Sequence, residues 1–161
     1  MSTPPLSPQS ALARRAAEAE VRRLIAQFAP ARARLVAAVR RWLRQRLPTA
    51  QEVVYEYRDC FVLSFSPSEH GYEGVLAIRG DADGVKLYFN RGKGLPDPAK
   101  LLRGSASLVR WIQVEGASTL ALPAVVALAD AALARNRVPF ARTGRGPVVI
   151  RSTAAKPRHP A

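Results

Sequence analysis

Residues able to do chemistry fall in a few short clusters. Glu69, His70 and Glu73 lie close together, with Tyr72 among them. A carboxylate beside an imidazole can move a proton, so general acid–base work or a transient metal site can be written from them. Nothing in the spacing fixes their mutual geometry, and an exposed polar loop is the plainer expectation. Cys60 opens an apolar run, which suits a small buried apolar residue better than a nucleophile. Together with His70 and His159 it completes the His and Cys content, without paired metal-ligand spacing. No Gly-x-Ser-x-Gly elbow is present. The sequence therefore assigns no catalytic residue, no metal ligand set and no cofactor, and leans away from an enzyme.

Binding chemistry has more candidates. Tyr88, Asn90 and Arg110 fall on polar or mixed positions of apolar runs. An aromatic–basic sheet face of that kind can stack bases, as single-strand binders do; core packing is the plainer use of such aromatics. Gly92-Lys93-Gly94 could cradle an anion through backbone N–H groups, with Lys93 adding charge. It has no Walker spacing, and a plain turn is the alternative. Arg40, Arg41 and Arg44, with Arg34, are expected on the outer side of a helix, as a solvated face or as a phosphate-contacting ridge. Glu52 and Glu56 share one strand face and Asp59 follows; carboxylates gathered on an exposed sheet can hold a hard cation weakly.

The elements that must position these residues follow from periodicity. Residues 1–10 are rich in Pro and Ser and are expected to be disordered. Ser10 suits the N-cap of a first helix, where Val21, Leu24, Ile25 and Phe28 share one face. Pro30 suits the first turn of a second helix over 31–47, with Val36, Val39, Leu43 and Leu47 inward and Leu35 and Trp42 at the buried edge. Pro48 ends it. Four apolar runs follow, at 53–57, 61–66, 74–79 and 85–90, with a fifth at 109–115. Their alternation is that of half-buried strands, and Asp83-Gly84 is a hairpin signal. Asp97-Pro98 predicts a short helical segment ending near Gly104, and Pro123 opens a last helix to about Arg135. Residues 148–151 are a candidate edge strand. The expected fold is α+β: an antiparallel sheet of five strands, six with that edge strand, covered on one face by two N-terminal helices and one C-terminal helix.

Length fits one domain over residues 11–135, followed by a basic, mostly irregular tail over 136–161. The net charge is +13 and unevenly spread. Residues 1–50 hold ten Arg against two Glu, residues 51–134 eight basic against ten acidic side chains, and residues 135–161 seven basic and no acidic ones. Two basic flanks around a slightly acidic sheet fit a polyanion partner, or simple solubility. No apolar run approaches the ~20 residues that span a bilayer, and residues 1–10 carry no signal-peptide pattern. A cytoplasmic protein that does not enter the membrane is expected.

Several segments in order carry a resemblance. Leu24-Ile25-Ala26-Gln27-Phe28, Pro48-Thr49-Ala50-Gln51-Glu52-Val53-Val54-Tyr55, Val85-Lys86-Leu87-Tyr88-Phe89 and Gly104-Ser105-Ala106-Ser107-Leu108-Val109-Arg110 together resemble the YdhG-like domain, a domain of unknown function. The similarity runs over about residues 20–135. It implies an α+β sandwich compared with frataxin, and an iron-chaperone label carried by some members through that analogy. Such a role needs an acidic surface, whereas Glu18 and Glu20 are the only acids in the first 50 residues. The functional expectation is a non-enzymatic binding module of unassigned ligand. Metal handling through Glu52, Glu56 and Asp59 and polyanion binding through the basic flanks are the two alternatives.

Overall fold

Ser10 starts the first helix as its sequence context predicts: its Oγ accepts the Ala13 amide at 3.1 Å. The computed structural model describes residues 5–152. Helix α1 spans Ala11–Ile25 and α2 spans Pro30–Arg46, with Pro30 in its first turn. Strands β1 (Gln51–Glu56), β2 (Cys60–Ser66), β3 (Leu76–Asp81), β4 (Gly84–Phe89) and β5 (Arg110–Val114) follow. Then come α3 (Ala117–Ala121), α4 (Pro123–Arg135) and β6 (Val148–Ser152).

The six strands form one sheet in the order β5-β4-β3-β2-β1-β6. The first five make an antiparallel meander. The sixth runs parallel to β1, so the sheet is mixed rather than antiparallel throughout. Among the described residues four α-helices form instead of three, because Ala117–Ala121 adds a short one before Pro123. The Asp97-Pro98 segment is not a helix. Asp97 does cap, accepting the Leu101 and Leu102 amides at 2.9 Å each, but Lys100 takes φ 54 and turns the chain away.

Register fixes which side chains share a face. Val54, Leu63, Ile78, Leu87 and Ile112 stand in one row across β1 to β5. All five are buried, and they belong to a single hydrophobic cluster with Val21, Val36, Val39, Leu43, Leu120 and Leu128 of the helices. The strand residues of that cluster come from one alternation set, so the helices cover that face and leave the other to the loops.

The tail segment contributes more than an isolated edge. The β6 strand docks on β1 through the Glu52 amide, which donates to the Pro147 carbonyl at 3.0 Å. Gly146 permits this approach, since a Cβ there would collide with the Ala50 carbonyl. On the outer side, the Gln9 amide group bonds both backbone groups of Val148, at 3.0 and 3.1 Å. That contact satisfies one exposed peptide pair of an edge strand, and it comes from the segment expected to lack structure. Residues 1–4 and 153–161, including Lys156, Arg158 and His159 of the tail, lie outside the described residues.

Leu63 lies at the centre of the buried row and is fully inaccessible, while Leu12 on α1 is 74% exposed. Leu63→Ala should cost about 2–5 kcal/mol of unfolding free energy in urea melts. Leu12→Ala should change it by no more than about 0.5 kcal/mol. Equal effects would mean the sheet faces are misassigned.

Candidate functional site

The alternation that buries Val54 and Leu63 turns Tyr55, Val62, Arg79 and Lys86 to the open face, one beside the next. The neighbouring row is Val53, Ser64, Ala77, Tyr88 and Trp111. The β2–β3 loop folds over part of this face. Ser64 Oγ donates to the Gly71 carbonyl at 3.2 Å, and Asn90 Nδ2 donates to the Gly74 carbonyl at 2.7 Å. A second wall is the segment 104–109. It is anchored by the backbone pair of Arg103 with Trp111, at 2.8 and 3.0 Å. Gly104 lies against the Trp111 indole with φ +113, a conformation that favours glycine.

A groove of about 450 Å³ remains on this face. Val62, Ala77, Tyr88 and Trp111 line it from the sheet, and Asn90, Ala106 and Val109 from the loops. The volume lies within the range of small-molecule and cofactor sites, about 300–1,000 Å³. Cations gather on its aromatics. Lys86 Nζ lies 4.6 Å from the Trp111 ring centre, and the Arg103 guanidinium 5.8 Å from it. The Arg79 guanidinium lies 6.0 Å from the Tyr88 ring centre and donates to its hydroxyl at 3.3 Å. Asp81 anchors two of these cations, Arg79 at 2.8 Å and Lys86 at 3.7 Å. Arg103 has no carboxylate partner among the described residues.

Of the binding residues expected from sequence, Tyr88 and Asn90 meet in this groove. Arg110 does not join them. It pairs with Phe89 in register and so faces the helix side, and its guanidinium donates to the Ala106 and Val109 carbonyls at 2.6 and 2.7 Å. Its role is to hold the 104–109 wall. Lys93 sits apart in an exposed turn. The amides of Gly92 and Lys93 are bonded to the Phe89 and Leu108 carbonyls at 3.1 and 2.9 Å, so they do not point at an anion. Arg135 instead donates to the Lys93 and Gly94 carbonyls, at 2.9 Å each. Sequence reasoning passed over Lys86, Arg103 and Trp111. The alternation of 109–115 already separated Trp111 from Arg110, and Lys86 shares a strand face with Tyr88.

The expected arginine ridge of α2 is divided. Arg41 is exposed, but Arg40 is buried and Arg44 half-buried. Positions 36, 40 and 44 are successive i+4 steps, so both arginines flank the apolar stripe rather than oppose it. They meet two carboxylates there. Arg40 grips Glu18 with two bonds of 2.8 and 3.1 Å and donates to Glu52 at 2.8 Å. Arg44 donates to Glu52 at 2.8 Å and to Glu18 at 2.6 Å. Burial alone would raise the Glu18 pKa; the hydrogen bonds and charges of Arg40 and Arg44 outweigh it and bring the carboxyl down to about 2. Burial pulls the Arg44 guanidinium down, and the two glutamates more than offset this.

The same arrangement corrects the expected carboxylate cluster. Glu52 is 3% exposed and faces the helices, as Val54 does. Glu56 bonds Arg23 at 2.8 Å. Asp59 lies in the exposed β1–β2 turn. The three do not share an exposed sheet face. Among the described residues no group of three or more His, Cys, Asp or Glu side chains is placed to hold a metal ion. His70 is stacked on Tyr72, with ring centres 5.1 Å apart. Burial pushes the Cys60 thiol up, away from the thiolate a nucleophile needs. No helix among the described residues is long and apolar enough to cross a membrane. Comparison with protein-family models, with curated proteins and with solved structures returns no match.

Two outcomes test the ion network. Glu52→Gln removes one of the two carboxylates that bond the buried Arg40, and should lower stability by about 1–3 kcal/mol in denaturant titration. The Glu18 pKa is lowered on folding, from 4.5 to about 2, so its stabilisation is present above pH 4.5. It is lost as pH falls toward 2. The stability gap between the native chain and Glu18→Gln should therefore narrow across that window. A gap that stays constant would show that the carboxyl is not held ionised by its partners.

Proposed function

We propose that this chain is a non-enzymatic binding module whose open sheet face takes single-stranded nucleic acid. The observation that carries this reading is the groove of about 450 Å³ in which Tyr88 and Trp111 are exposed to ligand beside Lys86, Arg79 and Arg103. A base offers a flat apolar body and its phosphate an anionic edge, which is the pairing such a face accommodates. Asn90 and the Ser105–Ala106 edge add polar groups at the rim. The polyanion expectation thus moves from the helical flank to the sheet: Arg40 and Arg44 are neutralised by Glu18 and Glu52, whereas Arg103 has no carboxylate beside it among the described residues.

Kinship to the YdhG-like domain belongs to the same proposal. Its support is the order of the quoted segments and of the elements: two helices, a meander, then the short α3 and the longer α4. The frataxin-like metal role has less support, because Glu52 and Glu56 are engaged by arginines.

Binding is best read by anisotropy of a labelled oligothymidylate. Affinity should fall steeply with salt as phosphate counterions are displaced. Trp111→Ala should weaken it by about 1–3 kcal/mol, the worth of one stacked base. Arg41→Ala on the helix side should change it little. Unchanged affinity for Trp111→Ala, or equal binding at low and moderate salt, would overturn the reading.

A further inference from the structure

A second cavity lies on the helix side of the sheet, where α1, the end of α2 and the approach to β6 meet. It measures about 380 Å³, and Arg14, Arg44 and Arg145 line it together with Glu52. Two glycines set Arg145 in place. Gly144 has φ +93 and rests against Leu6, and Gly146 abuts the Ala50 carbonyl with no room for a Cβ. Arg14 is fixed from the other side, its Nη1 donating to the Gly146 carbonyl at 3.0 Å.

Arg14 Nε is then left buried with no hydrogen-bond acceptor among the described residues. Buried donors of a charged group are rarely left so, because removing them from water without an acceptor is unfavourable. The local charge is also out of balance. Glu18 and Glu52 are both taken up by Arg40 and Arg44. Arg14 and Arg145 bring two further positive charges to the same pocket without a carboxylate of their own among the described residues. Burial lowers the Arg14 pKa, and the charges of Arg145 and Arg44 lower it further, by more than Glu18 and Glu52 restore.

We propose that this pocket binds a phosphate-type oxyanion through Arg14 and Arg145. An oxyanion beside the Arg14 guanidinium offsets the excess positive charge, and a small shift of that side chain brings the enclosed Nε to one of its oxygens. The planar guanidinium matches its oxygens in a way a point charge does not. Glu52 stays bonded to Arg40 and Arg44 and does not compete for the site. The oxyanion could be free inorganic phosphate or the phosphomonoester of a nucleotide, since both present the same oxygens to the arginines.

Titration calorimetry and thermal melts of the full chain, at constant ionic strength with chloride as the reference anion, provide the test. Inorganic phosphate should release heat and raise the melting temperature with dose. Arg145→Gln, at an exposed position, should fold normally and weaken binding by about tenfold or more. Arg14→Gln should do the same where it folds. Trp111→Ala should bind phosphate like the native chain, which separates this site from the sheet-face groove. A nucleoside 5′-monophosphate that binds tighter than inorganic phosphate, with the bare nucleoside not binding, would identify a phosphomonoester as the source. Equal binding of the two would identify free phosphate. No heat and no phosphate-specific stabilisation of the native chain, or full binding by Arg145→Gln, would overturn the proposal.

Discussion

Two glutamates and two arginines closed against one another between helix and sheet are the constraint on which this architecture turns. Arg40 is 8% exposed and Glu52 3%, so neither is stable in place without the other. A buried ion set of this kind is not a strong source of net stability, since apolar side chains of similar size would often serve as well. Its consequence here is geometric. Glu18 comes from α1, Arg40 and Arg44 from α2, and Glu52 from β1. Sliding β1 by one residue would send Glu52 to the open face and Tyr55 into the core. The network thus holds the two helices and the strand parity of β1 to a single arrangement. Because β1 lies next to β6 in the sheet, it also sets where the last strand can dock.

Much of the fold was legible because local signals agreed with tertiary ones. Ser10, Pro30 and Pro123 each open a helix at the expected place, and the five runs from residue 51 to residue 115 all become strands. What was not legible depended on partners distant in sequence. A parallel partner for β1 requires a segment more than 90 residues away, and no local pattern in 148–152 distinguishes parallel from antiparallel pairing. The site was half legible for a related reason. Tyr88 and Asn90 could be marked as surface candidates, but the side of the sheet that the helices cover was set by Glu52, whose charge made its strand face look exposed. Counting i+4 steps from Val36 places Arg40 and Arg44 beside that face, and the two observations together resolve the inversion.

The two faces of the sheet then handle positive charge in opposite ways. On the helix side, Arg40 and Arg44 are enclosed and matched by acids. On the open side, Lys86, Arg79 and Arg103 lie over aromatic rings, with Asp81 as the carboxylate that bonds Lys86 and Arg79. A cation over an indole or phenol keeps most of its field available to a ligand, while a cation in a bidentate carboxylate pair does not. The net charge of +13 is therefore a poor guide to where an anion would bind. What matters is which cations the fold leaves without acid.

By that criterion the loops, rather than the helices, define the binding surface. Arg110 is spent on the carbonyls of the 104–109 wall, and Arg135 on those of the Lys93–Gly94 turn. These arginines hold backbone in place: their charge is not neutralised, but the donors that bond those carbonyls are committed to them. Segment 104–109 has few regular hydrogen bonds beyond the Arg103–Trp111 pair, so its position follows from the Arg110 clamp, the Lys93 amide on the Leu108 carbonyl and Gly104 against the indole. Those contacts shape this side of the groove. The wall is held by its own contacts, while the row from Val54 to Ile112 is packed from the helix side. The groove and the apolar core thus lie on opposite faces of the sheet and are held by separate sets of contacts.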